Sequence, residues 1–126
     1  MAKARLLLVE DDVTMVKMYQ KKFLAEGYEV VTAYDGEEGL KKVKEVKPDL
    51  VILDVMMPKL DGLAVFKLMK AEPATKDIPV ILLTNFDQKD AIYESFTLEA
   101  VEYLIKSDVT PAQVVQKVEE LLKKKK

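Results

Sequence analysis

Asp49-Leu50-Val51-Ile52-Leu53-Asp54-Val55-Met56-Met57-Pro58-Lys59-Leu60-Asp61-Gly62 runs four apolar residues straight into the carboxylate of Asp54, and a proline and an Asp-Gly pair then turn the chain. A short apolar run bounded by turn signals reads as a strand buried on both faces of a parallel sheet. Asp54 is thereby delivered to the carboxyl end of a central strand, where open α/β sheets place their chemistry. Alone, the stretch reads equally well as an Asp that ends a strand and begins a loop. The remainder of the chain decides between the two.

Working outward, Leu6-Leu7-Leu8-Val9 is a first apolar run closed by Glu10-Asp11-Asp12. Val13 to Glu26 carries Val16, Tyr19 and Phe23 at helical spacing, with Gly27 where a C′ glycine belongs. Glu29 to Ala33 is a β-branched strand. Asp35-Gly36-Glu37-Glu38 resembles a capping box opening a second helix with Leu40, Val43 and Val46 inward, and Pro48 ends it. Beyond Gly62 a third helix turns Leu63, Phe66 and Met69 inward and stops at Glu72-Pro73. Pro79 to Leu83 is a fourth strand ending at Thr84, and Asp87 can cap a fourth helix to about Leu98. Val101 to Ile105 is a fifth strand ending at Lys106. Thr110-Pro111-Ala112-Gln113 supplies a cap, a first-turn proline and a glutamine for a last helix burying Val114, Val115, Val118, Leu121 and Leu122.

Five alternations of strand and helix with short connections predict a parallel sheet with helices on both faces. Glu29 and Thr32 make the second strand the least apolar, which suits an edge. The expected fold is therefore α/β, flavodoxin-like, with strand order 2-1-3-4-5 and its switch point between strands 1 and 3.

Composition narrows the function. With 126 residues, the chain is expected to form a single domain over its whole length. It contains neither Cys nor His, so disulfides, thiolate metal sites and an internal phospho-His relay are excluded. The apolar run at Leu6–Val9 is too short for a signal core, and nothing approaches a membrane span, so a cytoplasmic location without membrane contact is expected. Acids outnumber bases by 22 to 20 and Arg5 is the only arginine, which argues against nucleic-acid binding. Lys123 to Lys126 reads as the solvated end of the last helix.

The strand ends carry the chemistry. Glu10 and Asp11, Asp54, Thr84 and Lys106 arrive on one edge of one sheet. Clustered carboxylates repel unless a cation neutralises them, and oxygen donors without His or Cys select Mg²⁺ or Mn²⁺. With a hydroxyl and an ammonium added, the set suits a phosphoryl group, and a carboxylate is the available nucleophile. Asp54, central among these groups, is the best candidate. Each residue also has a plain structural role open to it: Asp11 or Asp12 as helix cap, Thr84 as a strand-end hydroxyl, Lys106 as a surface lysine.

Taken together, Leu6-Leu-Leu-Val-Glu-Asp-Asp12, Leu53-Asp-Val-Met-Met-Pro58 and Tyr103-Leu-Ile-Lys106 resemble the receiver domain of two-component response regulators, the single-domain chemotaxis type in particular. The resemblance implies that Asp54 accepts a phosphoryl group from a phospho-His on a sensor kinase or phosphotransfer protein. It implies a Mg²⁺ site of Asp11, Asp54, the Met56 carbonyl and, mostly through water, Glu10. Thr84 and Lys106 would hold the phosphoryl oxygens, and Tyr103 would turn inward on activation. A downstream target would meet the face formed by the fourth helix, fifth strand and fifth helix. Such a module is no enzyme beyond its own phosphoryl transfer and autodephosphorylation. Four positions depart from the family pattern: Ser107 replaces a proline, Glu99 a glycine, and Met56 and Phe86 are apolar where polar groups are common.

Other classes are less well matched. A flavin-binding protein of this fold would suffer repulsion between its phosphate and Glu10-Asp11-Asp12. A phosphatase of the haloacid dehalogenase type would need an acid where Met56 stands. A receiver-like module that has lost phosphorylation would lack some of the acidic, Thr and Lys set, and none is missing.

Overall fold

The computed structural model describes residues 3–55, 57, 60–84, 102–106 and 109–124. In chain order these form β1 (Arg5–Val9), α1 (Val13–Ala25), β2 (Glu29–Ala33), α2 (Gly36–Val46), β3 (Leu50–Asp54), α3 (Gly62–Ala71), β4 (Val80–Thr84), β5 (Glu102–Ile105) and α4 (Pro111–Lys124). The helix expected between Asp87 and Leu98 lies outside the described residues.

The local signals act where the sequence places them. Asp12 caps α1, its Oδ1 accepting from the Thr14 and Met15 N–H groups at 2.9 and 3.2 Å. Gly27 follows the last turn with φ +93°, a conformation that side-chain-bearing residues avoid. Thr110 and Gln113 exchange both bonds of a capping box at the start of α4. At α2 the box is displaced by one residue. Asp35 accepts from the Glu38 N–H at 2.8 Å, but Glu38 reaches back to the N–H of Tyr34, at 2.7 Å, and not to that of Asp35. α2 stops because Lys47, forced out of helical geometry by Pro48, adopts the left-handed conformation at φ 51°.

All strand pairs are parallel, and the order is β2-β1-β3-β4-β5. This is the expected flavodoxin-like arrangement, with β2 at an edge. Side chains alternate across the sheet. Leu6, Leu8, Leu50, Ile52, Ile81 and Leu83 pack under α1 and α4, beside Val16, Phe23, Val114 and Val118. Leu7, Val9, Val51, Leu53, Val80 and Leu82 pack against Val43 of α2 and Val65, Phe66 and Met69 of α3. β3 and β4 are buried along their full length. Burial of this kind stabilises by about 25 cal/mol per Å² of apolar surface and holds the strand ends in register. Arg5 is committed to the fold, its Nε paired with Glu29 at 3.0 Å and its Nη1 donating to the Val46 carbonyl at 3.1 Å.

Candidate metal and phosphoryl site

Register places the acids. Val9 pairs with Leu53, so Glu10 and Asp54, each one residue on, stand level at the carboxyl ends of adjacent strands. Both continue the parity of Leu8 and Ile52, which directs them to the α1–α4 side of the sheet. The switch point lies between these two strands, where the crossover helices part to opposite faces and leave a crevice.

Glu10 is 1% exposed and Asp54 3% exposed, whereas Asp11 is open to solvent. One carboxylate oxygen from each of the three lies within 4.8 Å of the other two. Lys106, immediately after β5, completes the group. Its Nζ donates to Glu10 Oε1 at 2.9 Å and approaches Asp54 Oδ1 at 3.0 Å. The second Glu10 oxygen accepts from the Asp12 N–H at 3.2 Å.

The electrostatics follow from this packing. Burial, and then contact with the Asp54 carboxyl, push the Glu10 carboxyl up to about 7, against the opposing effect of Lys106 and the Asp12 N–H. Burial by itself would lower the Lys106 ammonium, but its bonds to Glu10 and Asp54 outweigh that and hold it above its ordinary range. A buried acid with a perturbed proton affinity beside a buried carboxylate and an ammonium, in a crevice, has the character of a functional site.

Thr84 ends β4 and is fully buried. It continues the parity of Val80 and Leu82, on the α2–α3 side, one residue beyond the Leu83 that pairs with Asp54. The structure thus brings Glu10, Asp11, Asp54 and Lys106 together, with Thr84 at the neighbouring strand end. Met56, Phe86, Glu99 and Ser107 lie outside the described residues, and only the backbone of Tyr103, in β5, is described.

The three carboxylates fit a divalent cation of the Mg²⁺ or Mn²⁺ class, which prefers anionic oxygen donors. Sequence reasoning treated such an ion as the neutraliser of the cluster and Lys106 as a group for an incoming anion. The Lys106 ammonium already bridges Glu10 and Asp54 and can offset one negative charge of the pair. Sequence reasoning also missed Gly36 and Gly62. A Cβ on Gly62 would overlap the Asp54 carbonyl oxygen and stand 2.9 Å from Val55 Cα. A Cβ on Gly36 would overlap the Leu60 carbonyl oxygen and stand 2.5 Å from its carbon. The available signal was a glycine in the first turn of each helix, directly after the capping Asp.

Comparison with known proteins agrees with this geometry. Residues 6–119 match the family model of the response regulator receiver domain. The chain is 37% identical over 120 residues to the alkaline phosphatase synthesis transcriptional regulatory protein PhoP of Bacillus subtilis, covering 95% of this chain and 49% of that protein. It is 39% identical over 103 residues to the response regulator PleD of Caulobacter vibrioides, covering 82% of this chain and 23% of that one. It therefore spans about half the length of the first relative and about a quarter of the second. The receiver domain of Francisella response regulator 1452 superposes with a TM-score of 0.88 at 27% identity, over 98% of this chain and 100% of that one. A CheY-like receiver domain protein from Methanospirillum hungatei gives 0.85 at 27% identity, over 96% and 94%. This chain belongs to the response regulator receiver domain family, the signalling modules of two-component systems.

Proposed function

We propose that Asp54 is the phosphoacceptor of a single receiver domain spanning residues 1–126, charged by a phospho-His on a sensor kinase or phosphotransfer protein. The observation that carries this reading is the setting of Asp54: 3% exposed, level with Glu10, clustered with Asp11, and 3.0 Å from the Lys106 ammonium. An Asp54 carboxylate oxygen forms the new bond to phosphorus while the phosphorus–nitrogen bond of the donor breaks. The electron pair leaves with the imidazole, and the product is an acyl phosphate.

Glu10, Asp11 and Asp54, with the Met56 carbonyl, would hold Mg²⁺ or Mn²⁺. When bound, the ion supplies charge neutralisation for the phosphoryl oxygens. This chain's own residues do the rest. Lys106 keeps an ammonium beside Asp54, where it can bond to a phosphoryl oxygen, and Thr84 offers a hydroxyl from the next strand. Hydrolysis of the acyl phosphate then resets the site.

The output follows from the new dianion. It draws Thr84 and Lys106, and Tyr103 moves into the space vacated beside β4, which changes the face around β5, α4 and the preceding 87–98 segment. A downstream protein reads that face in the cytoplasm, without nucleic acid or membrane contact by this domain. Among the described residues no helix is long and apolar enough to cross a membrane.

The test is intact mass after incubation with a small phosphodonor and Mg²⁺. One phosphoryl group should be added to the unmutated chain and none to Asp54→Asn. Full labelling of Asp54→Asn would refute the assignment.

A further inference from the structure

The loop that leaves Asp54 is held from both ends. Val55 donates to the Leu83 carbonyl at 2.9 Å, and the Gly62 N–H returns to the Val55 carbonyl at 3.0 Å. Between these points Leu60 presses its backbone against the first residue of α2. At Gly36 a Cβ would stand 2.5 Å from the Leu60 carbonyl carbon and 2.9 Å from Leu60 Cβ. Real Cβ atoms do not make such contacts with backbone, so glycine is needed there for space, not for its dihedral range.

The start of α2 cannot yield independently of the site. Asp35 and Glu38 bind it on both sides, through the Glu38 and Tyr34 N–H groups. The strand just before it is tied to the acid cluster, because the Glu10 N–H donates to the Ala33 carbonyl at 3.0 Å. A push at Gly36 therefore moves either Leu60, two residues before the Gly62 that bonds to the Val55 carbonyl next to Asp54, or the segment bonded to Glu10. Both routes end at a carboxylate of the cluster.

From this we infer that Gly36 is a positioning residue for the cation and phosphoryl site, acting through the backbone of Leu60. The inference rests on the reading of Glu10, Asp11 and Asp54 as a divalent-cation site. Outer residues that orient a metal's ligands change affinity by roughly 10–100-fold when altered, and an effect in that range is expected here.

The experiment is calorimetric titration of Mg²⁺ into the full chain, with unfolding midpoints recorded in chelator. Gly36→Ala should bind Mg²⁺ roughly 10–100-fold more weakly. Gly27→Ala serves as a control for destabilisation alone, since its strained φ of +93° lies against only the Lys3 side chain. It should lower the midpoint and leave the affinity unchanged. Leu60→Gly frees the loop side of the same contact, should weaken binding by itself, and does not require Gly36→Ala to fold. Combined with Gly36→Ala, it should weaken binding by less than the product of the two single effects, because the loop can then give way. If Gly36→Ala and Leu60→Gly both bind Mg²⁺ as tightly as the unmutated chain, the inference is overturned and the site is left standing. Absence of Mg²⁺ binding by the unmutated chain overturns both.

Discussion

The Lys106 ammonium lies 2.9 Å from the Glu10 carboxylate, joining residues 96 positions apart on strands that are not neighbours in the sheet. Asp54, on β3 between them, receives the same ammonium at 3.0 Å. One lysine thus answers two buried acids, and a cation held by the cluster would compete with it for both.

The first expectation concerns pH. The folded Glu10 carboxyl titrates at about 7 against an ordinary 4.5. Between those values the folded protein holds a proton that the unfolded chain has lost. The resulting stability is complete below 4.5 and disappears as pH rises through about 7. The loss is on the order of 3 kcal/mol. In metal-free urea titrations, the stability of Glu10→Gln relative to the unmutated chain should therefore climb across this window. A difference that stays flat with pH would contradict the buried, proton-holding Glu10.

Removing the lysine should be costly in a pH-dependent way. Breaking a buried pair by deleting one partner typically costs about 3–5 kcal/mol, because the other charge stays uncompensated. In Lys106→Met the Glu10 carboxyl can escape part of that cost by holding a proton. The raised Lys106 ammonium is fully charged below its ordinary 10.5, so its own titration does not enter at neutral pH. The penalty should be several-fold larger at pH 8.5 than at pH 5.5, by chemical denaturation in chelator.

Asp11 and Asp12 should separate cleanly despite being adjacent. Asp12 caps α1 and Asp11 belongs to the cluster. Asp12→Ala should lose about 1 kcal/mol with its Mg²⁺ response intact. Asp11→Ala should keep or raise metal-free stability and lose most of the Mg²⁺ response. In the unmutated chain that response should reach about 2.7 kcal/mol at a hundred times the dissociation constant. Thermal unfolding with Mg²⁺ and with chelator measures all three.

Acyl phosphate lifetime should be long for the family. By resemblance to the family, the side chains two residues beyond Asp54 and Thr84 flank the approach of the hydrolytic water; here they are Met56 and Phe86, and neither side chain is suited to hold a water by hydrogen bonds. Placement of that water can be worth about 10² in rate. Met56→Asn combined with Phe86→Glu should shorten the lifetime after donor removal. Unchanged decay would show that access is governed elsewhere, Asn85 being the next residue to test.

What the sequence made legible is what depends on near neighbours. The runs at Leu6–Val9 and Leu50–Leu53 announce buried strands because both faces of each are covered. Asp12, Thr110 and Gly27 announce helix ends because caps act within a few residues. The strand-end acids were legible as a cluster once parallel order was inferred. The Lys106 bridge was not, since it depends on which acid a flexible side chain finds across the sheet. Nor was the contact of Gly36 with Leu60, in which two backbones meet from separate crossovers. Tyr103, Met56 and the 87–98 helix rest on sequence and resemblance alone.

The sheet ends in two edge strands, and a lysine from a flanking helix reaches a residue of each. Lys42 of α2 donates to the Thr32 carbonyl of β2 at 2.6 Å, and Lys117 of α4 lies 3.6 Å from Glu102 of β5. A foreign strand adding at the β2 border would have to displace the Lys42 bond and desolvate its charge, which is how natural sheets discourage edge-to-edge aggregation. The Lys42 bond thus gives the β2 border a charged group that another copy's strand would have to displace.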